Sequence, residues 1–112
     1  MNKISFEGIG EVAATFACEA GVQEGQVVKL TGNGTVGACG DKERFCGVAL
    51  VNNGGFASVQ VSGLAEVGAG EDVSAGWVKL SADSKGGVQR DDAAGMEYLV
   101  VSAGGGRAVV RL

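Results

Sequence analysis

The side chains that could carry chemistry in this chain are three cysteines and thirteen Asp and Glu residues; histidine is absent. Without imidazole the chain lacks the commonest general base and the commonest metal ligand. Six residues separate Cys39 from Cys46, and Cys18 is distant, so paired zinc-ligand spacing is missing. A reactive thiol wants a histidine partner or a basic, helix-terminal setting, and neither surrounds these cysteines. They read as free, mostly buried thiols of a protein made in a reducing cytoplasm. Glu71-Asp72 and Asp91-Asp92 are adjacent acidic pairs. Neighbours on a strand point to opposite faces, so neither pair forms an acid/base dyad, and neither fits a calcium-binding loop. Solvated turns account for both. Gly32-Asn33-Gly34-Thr35-Val36-Gly37 matches the glycine fingerprint of dinucleotide sites, but such a site needs a helix opening behind the loop. Ala38-Cys39-Gly40 follows instead, which makes the match a turn. The expectation is no catalytic set, no cofactor and no bound metal.

Charge narrows the partners. The net charge is −4, and the basic residues do not cluster as phosphate binding requires; Lys42 and Arg44 interleave with Asp41 and Glu43. Direct nucleic-acid binding is therefore not expected. No apolar run approaches the ~20 residues of a membrane helix, and Met1 to Gly10 lacks the apolar centre of a signal peptide.

The elements that position these residues are strands. Gly 21 with Pro 0, and 46% hydrophobic residues, describe a β protein with many tight turns. The centre is Phe45 to Gly63. Two apolar runs flank Asn52-Asn53-Gly54-Gly55, a hairpin signal because type I′ turns need positive φ at both central residues. In the second arm Ala57, Val59 and Val61 share one face and Phe56, Ser58 and Gln60 the other. The first arm, Cys46 to Val51, is apolar throughout, as a strand buried on both faces is. Further strands are expected at Glu11 to Cys18, Gln26 to Thr31 and Thr35 to Cys39. Helix is limited to one or two short turns, at Asp91 to Gly95 and Glu71 to Ala75.

The second half repeats the first. Val28-Lys29-Leu30 recurs as Val78-Lys79-Leu80, an offset of 78 − 28 = 50. The central hairpin recurs as Leu99-Val100-Val101, Gly104-Gly105-Gly106 and Ala108 to Leu112, an offset of 99 − 48 = 51. Two similar β units are expected in one domain over residues 11–112. Its predicted core comprises Val28, Leu30, Val48, Leu50, Val59, Val61, Leu80, Leu99, Val101 and Val109.

In order, Gln26-Val27-Val28-Lys29-Leu30, Gly34-Thr35-Val36, Phe45-Cys46-Gly47-Val48-Ala49 and Ala57-Ser58-Val59-Gln60-Val61-Ser62-Gly63 resemble the small decoration, or cement, proteins of tailed-bacteriophage capsids. The resemblance covers roughly Val12 to Leu112. It implies an all-β, small single-domain β-barrel or β-tulip-like fold. It also implies a head-stabilising virion protein on the outer capsid surface, present in the host cytoplasm during assembly. The implied partners are the major capsid protein and two further copies in a homotrimer. The family has no active site, so none is carried over. An N-terminal arm often adds to a capsid strand in that family, and residues 1–10 fit such an arm. They lack periodicity, yet Ile4, Phe6 and Ile9 give them apolar side chains that an extended segment could set into a neighbour. Trp77 and Tyr98, the only large amphipathic aromatics, are core residues by default and interface residues as a second reading. The alternative function is a small β-barrel ligand-binding or carrier module. A carrier presents a lysine at a hairpin tip, and the tips at Asn52 to Gly55 and Gly104 to Gly106 have none.

Overall fold

A computed structural model describes residues 10–112, with ten strands and no helix among them. β1 (Val12–Cys18), β2 (Val27–Gly32), β3 (Thr35–Ala38), β4 (Gly47–Asn52) and β5 (Phe56–Ser62) close into a barrel in the order β1-β3-β2-β4-β5. β6 (Leu64–Gly68), β7 (Gly76–Ala82), β8 (Val88–Arg90), β9 (Met96–Gly104) and β10 (Arg107–Arg111) form a second sheet in the order β6-β10-β9-β7-β8. Advancing each strand of the barrel by five positions in the chain gives β6-β8-β7-β9-β10, which is the order of the second sheet read around the ring in the opposite sense. The expected duplication is thus a duplication of topology.

Register makes the correspondence residue by residue. Ala49 pairs with Val59, and Val100 with Val110; both partners shift by 51. Each hairpin carries a β-bulge at the same place, Leu50 between Ala49 and Val51 and Val101 between Val100 and Ser102. Each turns through two glycines of positive φ, Gly54 and Gly55 at 65° and 116° and Gly105 and Gly106 at 63° and 79°. These are the central pairs that a type I′ turn requires, so in the first hairpin Gly54-Gly55 takes the place assigned by pattern to Asn-Gly. Asn52 supports it, its Oδ1 accepting from the Gly54 N–H at 2.9 Å. Parallel pairing of Ala17 with Thr35 and Cys18 with Val36 closes the barrel. The second unit repeats this as one parallel bridge, Ala69 to Val88.

Two buried clusters follow. Val28, Val36, Ala49, Ala57 and Val59 fill the barrel, with Phe16 and Cys18 against them. The larger cluster holds Val67, Leu80, Val88, Val100, Ala108 and Val110 of the second unit together with Val27, Phe45 and Val48 of the first. A flank of the barrel therefore seals the second unit. At the junction Gly63 (φ 92°) joins β5 to β6, and a Cβ there would lie 2.5 Å from the Gly10 carbonyl, a position only glycine fits.

Of the expected core, Val28, Val48, Val59 and Leu80 are buried. Leu30 is 59% exposed, because it sits where β2 runs out at the open mouth of the barrel. Leu50, Val61, Leu99, Val101 and Val109 are half-buried. Leu50 and Val101 are the bulged residues, displaced from the regular alternation. In the second hairpin the inward positions are Val100, Ala108 and Val110, one residue out of phase with the expectation. Cys39 is buried, Cys18 half-buried and Cys46 exposed. Asp91 to Gly95 forms a turn capped by Asp91, whose Oδ1 accepts from the Ala94 N–H at 3.0 Å, and neither it nor Glu71 to Ala75 is helical. The arm residues Ile4, Phe6 and Ile9 lie outside the described residues.

Candidate binding surface

Apolar side chains reach the surface at several points among the described residues, Phe56, Val12 and Val51 included, and two places combine them with charged neighbours. The first is the mouth of the barrel, where β2 and β5 end and β4 begins. Leu30, Phe45, Val61, Tyr98 and Leu112 line a cleft of about 670 Å³ there. Tyr98 holds one wall by stacking on Phe45, with ring centroids 4.9 Å apart, and its burial pushes the phenol pKa up. On the rim, Lys29 Nζ donates to both oxygens of Glu43 at 2.7 and 2.8 Å, and the Gly40 N–H donates to the same carboxylate. The hydrogen bond from Lys29, then that from Gly40, lowers the Glu43 pKa, and the hydrogen bond to Glu43 raises that of Lys29.

The second place is the outer face of the second unit. Trp77 pairs with Leu99, and Leu99 is the neighbour of Arg111 across β9 and β10. Side chains directly opposite in a ladder share a face, so the three form a row. Trp77 is 60% exposed, and the Arg111 guanidinium lies 5.5 Å from its ring centroid. Tyr98 pairs with Val78, one register position from Trp77, so the two aromatics face opposite ways. The structure does not bring them together: Tyr98 belongs to the junction between the units and Trp77 to the surface.

The remaining candidates stay apart. Among the described residues no three Cys, Asp or Glu side chains converge as metal ligands. Asp92 accepts from Arg90 Nε at 3.1 Å. Burial pushes the Cys39 thiol up to about 11, the opposite of what a nucleophile requires. Gly32 to Thr35 is the β2–β3 hairpin turn, with no helix to receive a phosphate. Sequence reading missed the row Trp77–Leu99–Arg111 as a unit, and the offset of 50 to 51 is the signal that finds it. It maps the row onto Val27, Val48 and Gln60, which pair with each other in the same way. No protein-family model and no curated protein matches this chain.

Proposed function

We propose that this protein is a capsid-decoration protein of a tailed bacteriophage or prophage. It binds the outer surface of the expanded head, bridges neighbouring major capsid subunits and acts as a homotrimer, without enzymatic activity or cofactor. The observation that carries the reading is the placement of the four motifs that resemble that family. Val28-Lys29-Leu30 lies on β2, Thr35-Val36 opens β3, Gly47-Val48 opens β4, and Val59-Gln60-Val61-Ser62 ends β5. An ordered set of short resembling segments thus falls, in order, on consecutive strands of one closed barrel. The surface is consistent with a binding role, since exposed Trp and Arg are the residues most enriched where binding energy concentrates.

The test is saturation binding. Expanded and unexpanded heads, assembled from the major capsid protein of the same phage genome, are sedimented with the purified protein. The expected result is saturable co-sedimentation with expanded heads, weak or absent with unexpanded ones, and a higher melting temperature of the decorated shell. Absence of co-sedimentation with expanded heads overturns the proposal.

A further inference from the structure

We propose that the Trp77–Leu99–Arg111 face of one copy docks over the barrel mouth of a second copy, head to tail, repeating between chains the contact that joins the two units within the chain. This goes beyond the capsid reading by naming the surfaces, and its test uses no capsid, so the two fail separately.

The contact inside the chain sets the pattern. The row Val27–Val48–Gln60 on the flank of the first unit is buried, at 1%, 2% and 2% exposure. It covers the end of the second unit where β6 begins and β10 finishes. Gln60 Nε2 donates to the Leu64 carbonyl at 3.1 Å, the Val27 N–H donates to the Gly86 carbonyl at 2.9 Å, and Phe45 stacks on Tyr98. Flank meets mouth, two different surfaces, so the contact is heterologous. A chain of two like units joined this way uses one flank and one mouth and, among the described residues, leaves one of each uncovered.

Both free surfaces carry the side chains such a contact needs. The unused flank is the equivalent row in the second unit: 27 + 50 = 77, 48 + 51 = 99 and 60 + 51 = 111. Its register is the same, Trp77 opposite Leu99 and Leu99 opposite Arg111. Where the first unit buries valine, the second exposes Trp77. The unused mouth is that of the barrel, with Leu30 exposed at its lip; between that lip and the Phe45–Tyr98 stack of the used contact lies a cleft of about 670 Å³, roomy enough for an indole. Heterologous contacts generate a closed ring when their rotation closes, which gives every copy both a covered flank and a covered mouth.

Sedimentation velocity from micromolar to submillimolar concentration tests this with Trp77→Lys, Leu30→Lys and their equimolar mixture. Trp77→Ala and Leu30→Ser are milder replacements should a lysine disturb folding, which circular dichroism checks. The wild type is expected to associate with rising concentration, and each variant alone to remain monomeric. The mixture is expected to give a dimer and nothing larger, because one intact flank of Leu30→Lys meets one intact mouth of Trp77→Lys. A wild type that stays monomeric, a single variant that still associates, or a mixture that stays monomeric overturns the proposal. So does new association on deleting residues 2–9, which would place the chain's own N-terminal segment in the mouth.

Discussion

Replacing Gln60 by alanine should destabilise the protein far more than replacing Arg111, its equivalent 51 residues on. Gln60 is 2% exposed, and its Nε2 donates to the carbonyls of Ser62 and Leu64 at 3.1 Å each. Each lost hydrogen bond costs about 1 kcal/mol net, and more where the acceptor is left without water; both carbonyls belong to half-buried residues, which keeps the cost near the lower end. Removing the buried methylene adds ~0.8 kcal/mol. The sum is about 3 kcal/mol, or roughly 10 °C or more in Tm for a domain of this size. Arg111→Ala loses a cation–π contact with Trp77 at an exposed site, worth about 0.5–1 kcal/mol. Urea denaturation of both variants, followed by Trp77 fluorescence and by circular dichroism, measures the difference. Equal costs for the two substitutions would refute the reasoning, because they would mean that the flank of the first unit is no more enclosed than that of the second.

Other expectations follow from burial and charge. Leu80→Ala, at a side chain 1% exposed, should cost about 2–5 kcal/mol, while Leu30→Ala should fall within about 0.5 kcal/mol of wild type, both read from denaturant midpoints. In the native protein iodoacetamide should label Cys46 before Cys39, which is buried with its pKa at about 11; mass spectrometry of the labelled peptides reads the order, and prompt labelling of Cys39 would contradict the packing of the larger core. The Glu43 pKa is depressed by Lys29 and by the Gly40 N–H, so its contribution is present above the unfolded value of about 4.3 and is lost as pH falls through the lower folded value. Lys29 is shifted upward, so its contribution is present below about pH 10.4 and is lost as pH rises through the raised value. Melting curves of Glu43→Gln should therefore differ from wild type between those limits and converge with it in acid; a constant difference down to strongly acidic pH would show that the substitution acts through packing.

Much of the architecture was legible because turn chemistry and alternation are local. The paired glycines at 54–55 and 105–106 and the alternation of Ala57, Val59 and Val61 marked both hairpins and their offset. The same offset carries Ala57 and Val59 onto Ala108 and Val110, the residues that are buried, whereas the uniformly apolar run Leu99 to Val101 gave no phase of its own. β6 and β8 went unassigned because Leu64–Gly68 is short and Val88–Arg90 shorter still, yet β6 is the counterpart of β1. The exposure of Leu30 was not legible at all. Its neighbours fix only its inward direction, and whether the mouth it points into is covered depends on how one unit sits on the other. The same holds for Val27 and Trp77, equivalent in position and opposite in burial.

The central claim, that this β protein decorates an expanded phage head, is tested most directly by cryo-electron microscopy of heads incubated with it. The expected result is added density on the outer surface at repeating positions of the capsid lattice, three copies per site, each fitted by the paired units and contacting more than one major capsid subunit. Bare shells at saturating protein, or density confined to single copies resting on one subunit, would contradict it.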